Sequence, residues 1–373
     1  MKVLQVLPSL NSGGVERGTL DFARHLLTKG HQSLVMSSGG RMVAELEREG
    51  STHVTFAVHA KSPLSLLRVR ALRRQLIALA PDVIHVRSRV PAWMVWLALK
   101  PLPPTQRPLL VSTFHGLYSV SRYSAIMGEG DQVIAISDCV HNYILHNYPQ
   151  VEPKRIHVIH RGVDVGQFPP QMQPDNDWLA RLHADYPHTR DQTLLLMPAR
   201  LSAWKGQRDF IRLIGQLIHA GRPCHGLIVG EPTPGKDHYL AELRQLVSEL
   251  KLESHISFLG HRSDMAQLYA AATLVFNLSE KPEPFGRTVI EALATGTAVI
   301  AWDSGGPAES LRIGFDCGLI PPGDNAALLT CVQRLLDTPP AEITLPPQFT
   351  LTAQAEATLA LYTQGLQQLG RTL

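Results

Sequence analysis

Short apolar runs alternate with helical stretches along the 373-residue chain, and this alternation limits the possible folds more than any other feature. Runs of four to six residues occur at 3–7, 33–36, 54–58, 83–86, 109–113, 133–136, 156–159, 193–197, 226–229, 256–259, 273–278 and 297–301. Strands that alternate with helices favour a mostly parallel, doubly wound sheet. We therefore predict an α/β protein.

The length and the position of the prolines predict two domains. A chain of 373 residues exceeds what one hydrophobic core usually holds. Residues 167–191 contain four prolines and separate the two series of apolar runs, which is typical of a linker. We predict Rossmann-like domains at 1–166 and 192–350 that face each other across a cleft, with an amphipathic C-terminal helix in 351–373 that packs back on the first domain.

Composition and cysteine usage indicate a cytoplasmic protein. Hydrophobic residues make up 44% of the chain and charged residues 18%, as in ordinary globular proteins. The apolar N-terminus is too short for a signal peptide, and the apolar run 90–99 is far below the ~20 residues that span a bilayer. The four cysteines form no CxxC pair, so we expect buried free thiols in a reducing compartment.

The charge is unevenly distributed between the two halves. Residues 1–170 carry 19 basic and 11 acidic side chains, a net charge of +8, whereas the remainder carries 16 basic and 21 acidic ones, a net charge of −5. Within the first half, a helix around 64–79 places Arg70, Arg73 and Arg74 on one side, either as a solvated face or as a surface for anionic membrane. We expect peripheral contact with an anionic inner membrane, and no nucleic-acid partner.

Two features of the first half follow predicted strands, where parallel sheets bind ligands. Gly13 and Gly14 lie between the first strand and a helix, and His115 follows the run 109–113. The glycines match neither GxGxxG nor GxxxxGK[ST], which argues against a dinucleotide site or a P-loop. They remain either a tight turn or a loop that approaches a phosphate. His115 is either a buried core histidine or part of a binding site.

In the second half, the segment 283–291 reads EPFGRTVIE and places two carboxylates eight positions apart. Pro284 and Gly286 favour a helix that begins near 285–288, so Glu283 lies on the preceding loop and Glu291 in the second turn. Free backbone N–H groups of the first turn would face an anion. The segment is therefore either a solvated surface helix or the binding site of a phosphorylated sugar.

Taken together, these motifs resemble the retaining glycosyltransferases of family 4, which have the GT-B fold and include bacterial lipopolysaccharide-core and glycan glycosyltransferases. The resemblance rests on EPFGRTVIE at 283–291 with ALATG behind it, ARL at 199–201 and KG at 205–206. In the first half it rests on GG at 13–14, TFHG at 113–116, IS at 136–137 and GVD at 162–164. The motifs occur in the family's order over essentially the whole chain.

The resemblance implies a role for each candidate residue. Arg200 and Lys205 would clamp the donor diphosphate. Glu291 would bind the nucleotide ribose, and Glu283 would contact hydroxyls of the donor sugar. His115 would lie near the reacting sugar. Backbone approach to the sugar and phosphates would come from Gly13, Gly14, Phe285, Gly286, Arg287 and Thr288.

The same roles imply a transferase without a metal or a cofactor. Transfer from a nucleotide-diphosphate sugar develops negative charge on the leaving group, which two fixed cations and helix N-termini stabilise. We therefore expect no Asp-x-Asp metal site. One departure from the family pattern concerns the acceptor side: Arg161 precedes Gly162 where the family often has Asn.

The sequence favours transfer from a nucleotide sugar, preferably UDP-linked, to a lipid-linked glycan such as lipopolysaccharide core, because a basic first half suits an anionic glycolipid or oligosaccharide acceptor. A capsule or exopolysaccharide precursor is the nearest alternative acceptor. A sugar-phosphate synthase with a soluble acceptor is the alternative enzyme. A nucleotide-sugar-binding module that has lost catalysis is the alternative without activity.

Overall fold

The computed structural model describes the chain apart from Ser12, residues 59–64, Pro234, Lys236 and residues 372–373, and it describes no side chains at 65–67. Residue 64, at the start of the predicted basic helix, therefore lies outside the described part. The chain divides into two compact units. Unit 1 comprises Met1–Arg161 and Leu351–Leu373, and unit 2 comprises Gly162–Thr350. Each unit contains a parallel sheet flanked by helices, which confirms the predicted α/β class.

The described strands of unit 1 form a seven-stranded parallel sheet in the order β3-β2-β1-β4-β5-β6-β7. They are β1 (Lys2–Val6), β2 (Gln32–Ser37), β3 (Thr52–Thr55), β4 (Val83–Val86), β5 (Leu109–Phe114), β6 (Gln132–Ala135) and β7 (Ile156–Val158). Helices cover both faces of such a sheet, so its central strands read as continuous apolar runs. The direction of strand addition reverses between β1 and β4, the position where doubly wound sheets open a ligand crevice.

The helices of unit 1 connect these strands, and the last of them comes from the end of the chain. They are α1 (Gly14–Thr28), α2 (Val43–Arg48), α3 (Ser65–Leu79), α4 (Arg89–Leu99), α5 (Arg122–Ala125), α6 (Asp138–Asn147) and the C-terminal helix α14 (Leu351–Gln368). On α14, the buried Tyr362 packs edge-on against Phe22, with ring centroids 5.8 Å apart, and bonds to Nδ1 of His85 at 2.6 Å. These contacts attach the C-terminal helix to the core of unit 1.

The described strands of unit 2 form a six-stranded parallel sheet in the order β10-β9-β8-β11-β12-β13, whose direction reverses between β8 and β11. The strands are β8 (Thr193–Pro198), β9 (Cys224–Val229), β10 (Ile256–Gly260), β11 (Leu274–Asn277), β12 (Ala298–Trp302) and β13 (Leu319–Ile320). The helices are α7 (Asn176–Asp185), α8 (Gln207–His219), α9 (His238–Glu249), α10 (Met265–Ala271), α11 (Arg287–Thr295), α12 (Gly305–Gly314) and α13 (Asn325–Asp337).

Residues 167–191, predicted from their prolines to be a linker, lie within unit 2. The segment contains α7. The carboxylate of Asp175 caps this helix by accepting a hydrogen bond from the backbone N–H of Trp178. The buried Trp178 indole donates to Asp264 at 2.5 Å. The buried Phe168 also packs against Tyr269, with ring centroids 6.0 Å apart. These two aromatic side chains hold the segment against its unit, which the proline content does not reveal.

Two further findings concern compartment and membrane. Cys224 and Cys331 are buried free thiols, as expected, whereas Cys139 is half-buried and Cys317 is exposed. Among the described helices, none has the length and apolar character required to cross a membrane.

Candidate active site

Lys205 and Glu283, predicted separately from the sequence, contact each other directly. Nζ of Lys205 lies 2.7 Å from Oε1 of Glu283, and the two side chains are only 13% and 14% exposed. Ser279 donates to the same carboxylate oxygen at 2.5 Å, and the ring of Trp204 lies 4.4 Å below the ammonium group. No described residue donates to Oε2 of Glu283, so one carboxylate oxygen remains open to a ligand.

Backbone contacts between two loops fix this pair at the strand reversal between β8 and β11. Gly206, with φ of +81°, comes so close to the loop after β11 that a Cβ atom there would lie 2.0 Å from the carbonyl oxygen of Leu278. The backbone N–H of Glu280 also donates to the carbonyl of Trp204 at 2.9 Å. Only glycine tolerates both this backbone conformation and this approach. The two loops therefore hold Lys205 and Glu283 in fixed positions relative to each other.

A second glycine-rich contact attaches the loop of Glu283 to the start of α12. The backbone N–H of Gly306 donates to the carbonyl of Glu283 at 2.9 Å. A Cβ atom on Gly305 would lie 2.6 Å from that same carbonyl oxygen, and one on Gly306 would lie 2.4 Å from Cα of Phe285. The loops after β8, β11 and β12 are thus packed backbone to backbone at the carboxyl edge of the sheet.

The remaining donor-side candidates lie on these loops and on α11. Arg200 follows β8; its side chain is exposed and makes no ion pair or hydrogen bond with any described residue. Phe285 is buried and packs against Phe349, with ring centroids 6.3 Å apart, so it anchors the loop from within. Gly286 caps α11 with φ of +83°. The first turn of α11 contributes the backbone N–H groups of Arg287 and Thr288, which have no partner inside the helix.

Glu291, in the second turn of α11, is held at both carboxylate oxygens. Arg287 donates to Oε1 at 2.8 Å, and the hydroxyl of Tyr269 donates to Oε2 at 3.0 Å. The residue is only 7% exposed, and burial raises the pKa of its carboxyl group, while the nearby Arg287 cation opposes the rise. Each oxygen keeps a further lone pair, so a ribose hydroxyl can still donate to this carboxylate.

In unit 1, Gly13 and Gly14 form the entry to α1. The helix begins at Gly14, and Gly13 precedes it with φ of +144°. That φ favours glycine, because other residues rarely adopt it, whereas the carboxylate of Glu16, 2.4 Å from where a Cβ atom would lie, belongs to a flexible side chain that can move. The loop follows β1, at the carboxyl edge of the sheet and beside the strand reversal.

His115 lies just beyond β5, and Arg161 fixes its tautomer. The guanidinium of Arg161 donates to Nδ1 at 2.9 Å, so the ring carries its proton on Nε2. This Nε2 is buried and has no hydrogen-bond partner among the described residues. Burial lowers the pKa of His115 well below its usual range, and the charges of Arg161, Arg87 and His85 act in the same direction. His115 is therefore a neutral N–H donor with no described partner.

Several contacts at these sites were not predicted from the sequence. The i,i+4 spacing of Arg287 and Glu291 is a recognisable signal for an ion pair on a helix, whereas nothing in the sequence connects Tyr269 to Glu291 or Ser279 to Glu283. One Asp-x-Asp sequence occurs, at 175–177, where the carboxylate of Asp175 caps α7.

Comparison with known protein families assigns most of the chain. Residues 12–167 match the family described as Glycosyltransferase Family 4, and residues 180–345 match Glycosyl transferases group 1. Among characterised relatives, D-inositol 3-phosphate glycosyltransferase 1 of Catenulispora acidiphila is 29% identical over 222 residues, 58% of this chain. That match spans about half of the relative's length, 51%.

Solved structures show the same fold over the whole chain. A glycosyltransferase from Rickettsia africae is 29% identical, with a TM-score of 0.85 over 98% of both chains. The Anabaena protein Alr3699/HepE, solved in complex with UDP, is 23% identical, with a TM-score of 0.74 over 99% of this chain and 100% of that one. The two family matches cover both units and agree with their parallel sheets, so the chain belongs to the GT-B glycosyltransferases, with a family 4 domain followed by a group 1 domain.

Proposed function

We propose that the protein transfers a sugar from a UDP-linked donor to a glycan acceptor with retention of anomeric configuration and without a metal ion. The observation that carries the proposal is the Lys205–Glu283 pair, which closely packed loops hold at the strand reversal of unit 2. UDP is the proposed nucleotide because the Anabaena protein with this fold was solved with UDP bound.

In the proposed reaction, unit 2 stabilises the departing nucleotide diphosphate. The bond between the anomeric carbon and the diphosphate oxygen breaks, and negative charge grows on that oxygen. Arg200 follows β8 and is exposed, and Lys205 has two further N–H donors beyond the one that Glu283 accepts. Preorganised cations of this kind are worth most where charge develops.

The carboxylates and the histidine would orient the substrates. Oε2 of Glu283 would accept from a hydroxyl of the donor sugar, and Glu291 would accept from the ribose. Neutral His115 would donate Nε2–H to the sugar at the reacting centre. The acceptor hydroxyl would attack the face from which the diphosphate leaves, and its proton would pass to the departing phosphate oxygen, which yields retention.

A donor panel tests this function. The protein is incubated in EDTA with UDP-, GDP- and ADP-sugars, and nucleotide release is measured with and without oligosaccharide acceptors. We expect release from a UDP-sugar and an α-linked product from an α-linked donor in the ¹H NMR spectrum. Tight UDP binding without turnover of any donor would instead support the inactive binding module.

Two carboxylate variants separate the proposed roles. Glu291→Ala should weaken UDP binding roughly 10- to 100-fold, the order expected for losing a buried charged hydrogen bond of about 1.5–3 kcal/mol. Glu283→Ala should mainly lower turnover, because Oε2 of Glu283 is the atom proposed to accept from a hydroxyl of the donor sugar. The opposite pattern would reverse the two assignments.

A lipid-linked glycan, with lipopolysaccharide core preferred over capsule or exopolysaccharide precursors, is our first proposal for the acceptor. Arg70 and Arg74 on α3 are exposed and can face anionic lipid. Nε of Arg73 instead donates a hydrogen bond to the carbonyl of Ala98 at 2.9 Å. Flotation with anionic vesicles at low and high salt tests it; we expect binding at low salt that weakens in Arg70→Gln/Arg74→Gln. Absence of binding at low salt would exclude membrane docking by this face.

A soluble phosphorylated acceptor is the second proposal. It is favoured by the name of the Catenulispora relative, a D-inositol 3-phosphate glycosyltransferase. Turnover of a UDP-sugar with a soluble sugar or polyol phosphate, at a rate that vesicles do not change, would support it over the glycolipid.

A further inference from the structure

Arg87 lies at the position in unit 1 where a doubly wound sheet most often binds its ligand. It follows β4 directly, and its backbone N–H donates to the carbonyl of Val6 at the end of β1. The strand order reverses between these two strands, so the loops that follow them diverge and leave a crevice at the carboxyl edge. Arg87 therefore directly follows one of the two strands between which such a crevice forms.

This guanidinium is buried without a counter-charge in contact. Arg87 is only 6% exposed, and its Nε has no hydrogen-bond partner among the described residues. The ring of Phe22 covers it at 5.9 Å. No described carboxylate lies within ion-pair distance; Asp21 attracts it from farther away and pairs with Arg24 at 3.8 Å. Because an arginine stays charged, such burial is costly unless an anion binds.

A second unpartnered donor lies on the neighbouring strand. In the register of the sheet Val86 pairs with Ser112, so Arg87 is level with Thr113, and His115 lies two residues beyond it along the adjacent strand. Adjacent strands are about 4.8 Å apart. The positive charge of Arg87 acts on the imidazole of His115 and contributes to keeping it neutral, and Nε2 of that imidazole is buried without a partner among the described residues.

We propose that Arg87 binds an acidic group of the acceptor, a phosphate or a carboxylate, in the crevice between β1 and β4 of unit 1. The inference deepens the proposed function and rests on it, because it names the chemical class of the acceptor. The cations assigned to the donor diphosphate, Arg200 and Lys205, belong to unit 2. We assign the additional buried cation of unit 1 to the other substrate, and competition with UDP distinguishes this assignment from binding of the donor phosphates, which the loop of Gly13 and Gly14 would approach.

Thermal unfolding with inorganic phosphate as the probe tests the proposal. Phosphate is titrated into the full-length protein at constant ionic strength, with chloride as the control salt and saturating UDP present to block the donor site. We expect phosphate to raise the melting temperature of the wild type by about 2 °C or more, since a ligand of the native state stabilises it. Loss of the phosphate effect when UDP is added would assign the anion to the donor site and overturn the proposal.

Replacement of the arginine gives the decisive comparison. Arg87→Met and Arg87→Gln should lose the phosphate-dependent rise, keep the wild-type affinity for UDP, and melt no lower than wild type without phosphate, because an unpaired buried charge has gone. The exposed Arg74→Met should keep the whole rise. A phosphate effect that persists in Arg87→Met contradicts the proposal.

Two further readouts keep the test independent of folding and of the donor assignment. If the neutral variants do not fold, Arg87→Lys is measured instead. It should bind phosphate more weakly, because lysine cannot form the planar fork of arginine. An unchanged phosphate affinity in Arg87→Lys would also contradict the proposal. If UDP fails to bind the wild type, the proposed donor is wrong, and the phosphate titration without UDP still reports on Arg87. Weakened UDP binding in the Arg87 variants would place the residue on the donor side.

Discussion

Nζ of Lys205 lies 2.7 Å from Oε1 of Glu283, in a contact that joins the loop after β8 to the loop after β11. The resemblance to family 4 assigns the two residues to different parts of the donor, the diphosphate and the sugar. Their contact means that neither can be removed without releasing the other. The functions of the cation and the carboxylate are therefore coupled, and the packing of the two loops maintains their geometry.

A double-mutant cycle measures this coupling. Lys205→Ala and Glu283→Ala should each lower kcat by on the order of 10²–10³, the usual loss for a preorganised group at a developing charge. The double variant should lose far less than the product of the two effects, because each single change already disturbs the partner. Steady-state kinetics with one donor gives all four rates.

The exposed pair Arg208–Glu242 provides the matched control for this cycle. Its side chains are 44% and 46% exposed, and surface ion pairs contribute little. Alanine at either position should change kcat by less than about twofold. Fully additive losses at Lys205 and Glu283 would show that their contact has no role in turnover.

Gly206→Ala tests whether loop packing positions the pair. The substitution meets both a positive φ and the carbonyl of Leu278, so we expect a destabilisation well above the roughly 1–2 kcal/mol of the backbone conformation alone, together with lost turnover. Gly221→Ala is the control, because Gly221 has φ of +72° and open space around it. Equal stability losses in urea unfolding would disprove the close approach.

The tautomer of His115 can be observed directly by ¹⁵N NMR. We expect wild-type His115 to be neutral with the proton on Nε2 at neutral pH, because its pKa is held well below its usual range. Arg161→Met should raise that pKa, since a positive charge is removed, yet the burial of the ring should still hold it below its usual range. The exposed Arg122→Met should have no effect. A proton on Nδ1 in the wild type is incompatible with the Arg161 contact.

His225 makes stability depend on pH in a predictable direction. Burial lowers its pKa from 6.5 to about 4, so between these values the unfolded chain binds a proton that the native state does not. The free energy of unfolding therefore falls as the pH drops from 6.5 towards 4, by up to about 1.4 kcal/mol per pH unit for this residue. Urea unfolding at several pH values should show a shallower slope in His225→Gln and an unchanged slope in the exposed His219→Gln. A wild-type slope in His225→Gln would mean that this ring titrates normally.

Features that depend on a local sequence pattern, such as strands and helix starts, could be predicted from the sequence. Apolar runs mark the strands because a parallel sheet covered by helices needs continuous apolar strands, and Gly286 marks the start of α11 because it must adopt a positive φ. Contacts between distant residues have no such signature. Tyr269 and Glu291 are 22 positions apart, and Arg161 and His115 are 46 apart; only the fold brings each pair together.

The donor assignment is tested most directly by calorimetry of UDP, UMP and uridine binding in EDTA, with wild type and Arg200→Ala. We expect UDP to bind without a metal ion and more tightly than UMP, and Arg200→Ala to lose most of the difference while keeping the affinity for uridine. A protein that binds no UDP, or binds it only after a divalent metal ion is added, would contradict the proposal that fixed cations in unit 2 hold the diphosphate.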